Sequence, residues 1–222
     1  KSVVKTPKSY NSQIGVPLSV WNIHEKHQIG VFEAGISKEG EMERLAEIIA
    51  PELGIFTSIG PAHASGFEDQ AQKVEEKMKL FHNSEKVICR REHAAVFIQL
   101  QKCFKDRVLD WSTSSSKAQI SVSIGDKEVT LSSKSYRQSF RVPFDFSIWT
   151  ENCIHAIVAA LELKISPENI QRAVDDLQPV KMRLSIKKGK WDSYIIDDTY
   201  NNDLFGLEVA LDYLKRQNQR EK

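Results

Sequence analysis

Two side chains of this sequence stand where a ligand or a metal ion could reach them, just after short apolar segments. Glu33 lies near the end of the segment Gln28–Gly35. His63 follows the segment Leu53–Ile59, which stops at Gly60-Pro61, as a buried parallel strand often does. Because open α/β sheets bind ligands at the carboxyl ends of their strands, Glu33 and His63 could share one rim as metal ligands or acid-base groups. Taken alone, His63 could equally be a loop histidine that is hydrogen-bonded to the backbone.

Helices must position these two segments. Between them, apolar residues expected to face the core recur at helical spacing: Met42, Leu45, Ile48 and Ile49. Ser37 can cap this helix, and Pro51 ends it. The order strand, helix, strand predicts one βαβ unit in a parallel sheet. A second helix is predicted from about Asp69 to Phe81, and it places Lys77 at the edge of its apolar side.

In the middle of the chain the spacing of apolar residues changes from helical to alternating. A strand is predicted at 86–89 and a helix at 92–104. From about Ala118 apolar and polar residues alternate, with a turn at Gly125-Asp126, which predicts a hairpin in a small antiparallel β region. Trp111 is interpreted as a packing residue.

The last third returns to helices and then to a new unit. Apolar helices are predicted to open at Thr150 and at Ser166, the second by a cap followed by proline. Pro179 looks like a domain boundary, dividing the chain into residues 1–179 and 180–222. Beyond it, a hairpin around Lys188-Gly189 precedes another amphipathic helix. The sequence therefore predicts an α/β fold with a mostly parallel sheet flanked by helices.

Composition narrows the class of protein. Among 222 residues, 31 are basic and 30 acidic, a balance that argues against a nucleic-acid or membrane-surface protein. No apolar run approaches the roughly 20 residues of a membrane span. Cys89, Cys103 and Cys153 have no CxxC spacing, so we interpret them as reduced thiols of a cytoplasmic protein.

Six motifs, taken in order, resemble the Mur ligases of bacterial peptidoglycan synthesis. They are Glu33-Ala34-Gly35, Ser58–His63 with Gly66-Phe67, Lys77, Asn152, Arg183, and Asp197–Asn202. The opening Lys5–Leu18 and the pattern Tyr200-Asn201-Asn202 are most similar to the last-acting members of that family. The resemblance covers essentially the whole chain, and it implies a central ATP-binding domain followed by the start of a Rossmann-like carboxyl-terminal domain.

The resemblance also implies a metal site. Counting from Phe67 places Lys77 on the lysine that Mur ligases carry as a carbamate, ahead of Lys73 and Lys79. A carbamate offers two oxygens, which suit a hard Mg²⁺ ion. Glu33, His63 and carbamylated Lys77 would then hold magnesium, with Lys77 and His63 as the catalytic pair.

Nucleotide and substrate contacts follow from the same resemblance. It implies nucleotide contacts at Asn152, Arg183 and Asp198, and substrate contacts at Asn11, Gln13, Asn201 and Asn202. Simpler interpretations stay open. Asn11 and Gln13 could be ordinary turn residues, Asn152 a first-turn cap residue, Arg183 a surface charge and Asp198 a turn cap.

The implied reaction uses ATP and Mg²⁺ to activate the carboxylate of UDP-MurNAc-tripeptide as an acyl phosphate, which the amine of D-alanyl-D-alanine attacks. One departure is large, because no Gly-x-x-Gly-Lys-Thr/Ser phosphate loop occurs in the sequence. We therefore expect a fragment of a longer bacterial, cytoplasmic ligase that is inactive alone. Two alternatives remain, a ligase similar to folylpolyglutamate synthetases and a non-catalytic remnant that binds a partner.

Overall fold

The computed structural model of the chain confirms the α/β prediction. It describes residues 1–60, 67–143, 147–178, 180, 183–191, 193–200 and 204–216. The chain folds into two compact units, the first built mainly from residues before Ile124 and the second mainly from Ser139 onward.

The strands and helices alternate through most of the chain. The strands are β1 (Val3–Lys5), β2 (Ile29–Val31), β3 (Leu53–Phe56), β4 (Lys86–Arg90), β5 (Val108–Ser112), β6 (Ile120–Gly125), β7 (Glu128–Ser132), β8 (Arg137–Arg141), β9 (Ser185–Lys188) and β10 (Tyr194–Asp197). The helices are α1 (Gly15–Val20), α2 (Glu41–Ile49), α3 (Gln70–Met78), α4 (Ala94–Phe104), α5 (Ser147–Glu162), α6 (Pro167–Asp175) and α7 (Leu204–Arg216).

The main sheet has six strands in the order β3-β4-β5-β6-β7-β8. Its first three pairings are parallel, with Phe56 opposite Cys89, and Trp111 opposite Ile120 where β6 joins β5. The predicted hairpin therefore continues the main sheet. Strands β1 and β2 form a separate parallel pair, and β9 and β10 form the small antiparallel sheet. The predicted fold class is confirmed.

Apolar side chains of the first unit form two clusters of buried residues. One lies between the parallel strands and helices α3 and α4: Phe56, Val74, Met78, Phe81, Val87, Cys89, Val96, Leu100, Phe104 and Val108. The other is smaller and joins α1 to α2: Val16, Ile36, Met42 and Leu45. Burying each such side chain contributes about 1.5–3 kcal/mol, so these clusters fix how α2 and α3 pack.

Three local predictions for the first unit are wrong. Strand β2 pairs with β1, so the βαβ unit expected across α2 is not one hydrogen-bonded sheet. Ile48 is 39% exposed because it lies on the outer side of α2. Ser37 does not cap α2, since its backbone N–H donates to Glu41 Oε2 at 2.7 Å and Gly40, with a positive φ of 78°, occupies the cap position.

The helices of the second unit follow the predictions closely, with one shift at a start. Helix α5 starts at Ser147 instead of Thr150, so Asn152 lies in its second turn and is not a first-turn cap residue. Helix α6 begins as predicted, with Ser166 Oγ accepting a hydrogen bond from the Asn169 N–H at 3.4 Å. Pro179, the predicted boundary, lies outside the described residues.

Two further points concern the state of the cysteines and the presence of a membrane-spanning helix. The three cysteines are free thiols, and burial raises the pKa of Cys89 to about 12 and that of Cys153 to about 11. No helix in the part of the chain that the structure describes combines the length and apolar character needed to cross a membrane.

Candidate active site

Helix α3 places Lys77 at the edge of the core. Asp69 caps the helix, its Oδ1 accepting a hydrogen bond from the Gln72 N–H at 2.8 Å. Val74 and Met78 bury one side of the helix in the larger cluster. Lys77 precedes Met78 by one position and is therefore half-buried, as its sequence position predicts.

The surroundings of Lys77 destabilise its charged form. Burial lowers the pKa of Lys77, and the positive charge of Lys73 lowers it further, while the Glu33 carboxylate acts in the opposite direction. Lys73 itself is only 6% exposed, and burial lowers its pKa too. The structure thus brings Lys77 and Glu33 into one electrostatic environment, together with Lys73.

Glu33 lies just beyond the end of β2, where local contacts fix its backbone. Its N–H donates to Thr6 Oγ1 at 3.0 Å. Its Oε1 accepts a hydrogen bond from Asn11 Nδ2 at 2.8 Å. Asn11 is in turn held by the Gly35 N–H, which donates to its carbonyl oxygen at 2.7 Å. In this structure Asn11 therefore orients the Glu33 carboxylate.

Gly35 permits this arrangement because the loop approaches Asn11 closely. A Cβ atom at Gly35 would lie 3.3 Å from Asn11 Cγ, tighter than most side-chain contacts. A side chain at position 35 would therefore require the Asn11 amide, which holds Glu33, to shift slightly. The Glu33-Ala34-Gly35 motif thus has a local structural reason for its glycine.

Gln13 lines a small cavity near this loop. Its Nε2 donates to the Glu41 carbonyl at 2.9 Å. The cavity, of about 180 Å³, is lined by Ser12, Gln13, Ile14, Gly35, Ser37 and Glu41. Hydrogen bonds from the backbone of Ser37 and Lys38 lower the pKa of Glu41, which keeps a carboxylate at the wall of the cavity.

Sequence reasoning missed Glu76, which ties α3 to α2. Its side chain is buried, with Oε1 accepting a hydrogen bond from the Met42 N–H at 3.1 Å. Lys79 forms an ion pair with Glu76 Oε2 at 2.6 Å. The carboxylate thereby accepts a hydrogen bond from a backbone N–H in the first turn of α2, which has no partner within the helix. The spacing of Glu76 and Lys79, three positions apart on a helix, is the signal that could have indicated the pair.

A second missed residue is Glu92, which follows β4. Its Oε1 accepts hydrogen bonds from Ser112 Oγ at 2.6 Å and from the backbone and hydroxyl groups of Thr113 and Ser114 at 2.8–3.2 Å. Its Oε2 pairs with Arg90 Nε at 3.1 Å. Burial would raise the pKa of Glu92, but these hydrogen bonds outweigh it and lower the pKa to about 2.

The candidate nucleotide residues all fall in the second unit. Asn152 is exposed on α5. Asp198 Oδ1 accepts a hydrogen bond from the Leu184 N–H at 3.1 Å. The Arg183 guanidinium lies 4.2 Å from the centre of the Tyr200 ring, a cation–π contact. Arg183 and Asp198 therefore flank the β9–β10 hairpin.

Three predicted site residues, His63, Asn201 and Asn202, lie outside the described residues. Within the ranges that the structure does describe, no group of three or more His, Cys, Asp and Glu side chains is arranged to hold a metal ion. The predicted ligand set differs from such a group, because it combines Glu33 with a modified lysine and with His63, which is beyond those ranges.

Comparison with known proteins supplies a family. A model of the Mur ligase middle domain matches residues 1–160. A UDP-N-acetylmuramoyl-tripeptide--D-alanyl-D-alanine ligase of Treponema pallidum is 28% identical over 80% of this chain and 39% of its own length. The enzyme of the same name from Haemophilus influenzae is 25% identical over 97% of this chain and 48% of its own. The chain spans about half the length of most curated relatives that it matches along its whole length.

Solved structures share the fold. MurF from Acinetobacter baumannii superposes with a TM-score of 0.86 at 22% identity, over 98% of this chain and 49% of that one. MurF from Thermotoga maritima in complex with ADP gives 0.76 at 20% identity, over 97% and 51%. The apo form of FPGS from L. casei gives 0.64 at 17% identity, over 88% and 48%.

Proposed function

The chain belongs to the Mur ligase family, and on this premise we propose that it supplies the ATP-handling half of a ligase that builds a peptidoglycan precursor. The proposed reaction adds D-alanyl-D-alanine to UDP-MurNAc-tripeptide, in the bacterial cytoplasm. The names of the curated relatives support this choice of substrates. The MurF structure in complex with ADP supports ATP as the nucleotide.

The observation that carries the proposal is the cluster formed by Asn11, Glu33 and Lys77. It combines an oriented carboxylate with a half-buried lysine whose pKa is lowered first by burial. A lysine in such surroundings keeps more of its amine uncharged than a surface lysine does. An uncharged amine is the form that can add CO₂ to become a carbamate.

The donor set of this cluster fits magnesium. Glu33 is exposed, and the described part of the chain gives its side chain one hydrogen bond, from Asn11. A carbamate on Lys77 would add hard oxygen donors, and His63 would complete the set. When bound, Mg²⁺ spreads the charge that develops as phosphate passes from ATP to a carboxylate.

The remaining residues would bind and orient the reactants. We assign nucleotide contacts to Asn152, Arg183 and Asp198, with the Arg183 guanidinium suited to phosphate oxygens. We assign substrate contacts to Gln13, Asn201 and Asn202, and to Asn11 through its hold on Glu33. The cavity beside Gln13 supports this assignment because Gly35 of the Glu33 loop also lines it.

A ligation assay on the full-length enzyme that contains these residues tests the proposal. Phosphate release should require ATP, Mg²⁺, UDP-MurNAc-tripeptide and D-alanyl-D-alanine together. Lys77→Met and His63→Ala should each lower the rate at least about a hundredfold, because each removes a magnesium ligand. Lys79→Met is the matched control, since Lys79 directly follows α3 and pairs with Glu76. Unaltered ligation in His63→Ala would contradict the metal site.

A second assay addresses the missing phosphate loop. Calorimetry would compare Mg-ATP binding to this chain and to a version extended upstream by roughly 40 residues, enough for a strand-loop-helix phosphate site. We expect binding to the longer version only. Binding to neither would favour the non-catalytic remnant, and amide formation by this chain alone would contradict its expected inactivity.

A folylpolyglutamate-synthetase-like ligase is the alternative that the same assay separates. The L. casei FPGS structure shares the fold. That alternative predicts phosphate release with a folate and glutamate, in place of the muramyl tripeptide and D-alanyl-D-alanine.

A further inference from the structure

The small cavity beside the Glu33 loop has several hydrogen-bond acceptors in its wall. Among its lining residues, Glu41 brings a carboxylate and Gln13 an amide, and Ser12 and Ser37 bring hydroxyl groups. Gln13 Nε2 already donates to the Glu41 carbonyl at 2.9 Å. Within the part of the chain that the structure describes, neither Gln13 Oε1 nor Glu41 Oε1 accepts a hydrogen bond. The cavity therefore presents acceptors that a donor group of a ligand could use.

The backbone donors near the cavity are less available to a ligand. Glu41 Oε2 accepts hydrogen bonds from the N–H groups of Ser37 at 2.7 Å and of Lys38 at 3.2 Å. Glu76 Oε1 accepts one from the Met42 N–H at 3.1 Å. Such N–H groups at the amino end of a helix are a common binding site for a phosphate or a carboxylate. Because the chain's own carboxylates use these three, the cavity disfavours an anionic ligand.

Glu41 makes the cavity suitable for a cation instead. The hydrogen bond from the Ser37 N–H is the main cause of the lowered pKa of Glu41, so this carboxyl group is ionised at neutral pH. Lys38 and Arg44 lie near enough to lower this pKa too, but neither lines the cavity. An ammonium group has three donors and no acceptor, so carboxylate, amide and hydroxyl oxygens can satisfy it together.

The rest of the wall suits the stem that would carry such an ammonium group. Ile14 and Gly35 offer nonpolar surface against which methylene groups can pack. The cavity volume of about 180 Å³ corresponds to about six water molecules at roughly 30 Å³ each, which is room for one side chain but not for a nucleotide. The cavity therefore fits an alkyl-ammonium side chain.

The position of the cavity distinguishes between the amino groups of the proposed reactants. Gly35 lines the cavity and lies two positions after Glu33, so their Cα atoms are within roughly 7 Å of each other. The carboxylate to be activated beside Glu33 belongs to the third residue of the tripeptide, and a lysine-like side chain on that residue has a four-carbon stem that spans such a distance. The amine of D-alanyl-D-alanine must instead approach the acyl carbon and must be uncharged to attack it, whereas Glu41 favours a charged amine.

We propose that the cavity beside Gln13 binds a side-chain ammonium group on the third residue of the UDP-MurNAc-tripeptide, with the Glu41 carboxylate and the Gln13 amide oxygen as acceptors. The inference rests on the proposed function and deepens it, because it names the part of the substrate that this side of the site selects. A tripeptide whose third residue lacks the ammonium group should therefore bind more weakly.

The test uses the full-length enzyme that contains these residues and two UDP-MurNAc-tripeptides, with lysine or norleucine as the third residue. Norleucine keeps the four-carbon stem and lacks the ammonium group. At saturating Mg-ATP and D-alanyl-D-alanine, the KM for the norleucine peptide should be about tenfold higher, because a charge-assisted hydrogen bond is lost. The kcat should change less than about twofold, because the ammonium group does not touch the reacting atoms.

Glu41→Gln separates recognition from folding. Glutamine keeps the size of the side chain and an oxygen that can accept from the Ser37 N–H, but it loses the charge. The KM for the lysine peptide should rise about tenfold and that for the norleucine peptide should stay the same, so the two values become about equal. Glu43→Gln is the matched control, since Glu43 is also in the first turn of α2 but does not line the cavity, and it should keep the difference.

Equal KM values for the two peptides on the unaltered enzyme would overturn the ammonium site while leaving the proposed function intact, because ligation would still occur. An equal rise for both peptides in Glu41→Gln would give Glu41 a structural role only and would also overturn it. A rise in the KM for D-alanyl-D-alanine alone would assign the ammonium group to that reactant, against the proposal. Absence of ligation with either peptide would contradict the proposed function itself. The comparison on the unaltered enzyme needs no variant, so it decides even if Glu41→Gln does not fold.

Discussion

Glu33 and Glu92 occupy the same position in the topology, yet their environments are opposite. Each lies two residues beyond the end of a parallel strand, β2 for Glu33 and β4 for Glu92. Glu92 Oε1 accepts five hydrogen bonds, one from the last residue of β5 and four from the loop after it, and Oε2 pairs with Arg90. Glu33 is exposed and accepts its one described side-chain hydrogen bond from Asn11.

The difference separates a structural carboxylate from one that is available to a ligand. A carboxylate has roughly four lone-pair sites, and the hydrogen bonds to Glu92 use them within the chain. Asn11 occupies one oxygen of Glu33 and orients the group. Position at the carboxyl end of a strand is therefore not enough to identify a site. The number of protein donors that already satisfy the side chain decides between the two.

Glu33→Gln should have the largest effect on activity. The amide keeps the size of the side chain but loses the negative charge that magnesium requires, so the ligation rate of the full-length enzyme should fall about a thousandfold. Its unfolding temperature should stay within about 2 °C, because Glu33 is exposed. Glu92→Gln is the matched control and should keep most of the ligation rate. Equal losses of activity in the two variants would contradict the distinction between Glu33 as a ligand-binding carboxylate and Glu92 as a structural one.

Glu92→Gln should instead lower stability. The pKa of Glu92 is about 2, against an ordinary value of 4.5, and its side chain is 25% exposed. This depression corresponds to about 3 kcal/mol of folding free energy. Because the folded pKa is below the unfolded one, the contribution is complete above about pH 5 and is lost as the pH falls toward 2.

Urea unfolding of this chain across that pH range measures the effect. The unaltered chain should lose up to about 3 kcal/mol more than Glu92→Gln between pH 6 and pH 2. The two free energies of unfolding should converge at the acid end. Parallel pH profiles would show that Glu92 is not held as its contacts indicate.

The two carboxylates also show what the sequence could and could not predict. The rim position of Glu33 and the half-buried edge position of Lys77 follow from strand ends and helical period, which are local patterns. The environment of Glu92 depends on Ser112–Ser114, about 20 residues away, folding back to it. The number of hydrogen-bond donors around the Glu92 carboxylate therefore depends on the tertiary structure and cannot be predicted from a local pattern.

The missed strand β5 has a related cause. Asp110 interrupts its apolar residues and makes the segment look like a polar loop. In the structure Asp110 is buried because Arg91 pairs with it at 2.5 Å. Helical spacing likewise predicts that Lys73 lies one turn from Lys77, but it does not predict the residues that bury Lys73. A local sequence pattern therefore predicts which way a side chain faces better than it predicts which residues the side chain contacts.

Asn11→Ala should have an intermediate effect on ligation, and it tests whether Asn11 orients the Glu33 carboxylate. Without the amide, the Glu33 carboxylate loses its orienting donor but keeps its charge. The magnesium concentration for half-maximal ligation should rise about tenfold, with a smaller change in the maximal rate. Asn11→Asp, which places a like charge against Glu33, should raise that concentration further. Wild-type magnesium dependence in both variants would show that Asn11 does not position Glu33.

Single hydroxyl deletions around Glu92 should have the smallest effects, and unequal ones. Ser114→Ala removes one of five hydrogen bonds to the same oxygen, so the remaining donors compensate and unfolding should cost about 0.5 kcal/mol less than in the unaltered chain. Ser112→Ala should lower stability by about 2 kcal/mol, because the buried Ser112 Oγ donates to Glu92 and also accepts from the Ser114 and Ser115 N–H groups. Urea unfolding at pH 7 measures both variants. If Ser114→Ala were as costly as Ser112→Ala, Glu92 Oε1 would not be saturated, and the contrast with Glu33 would be one of degree only.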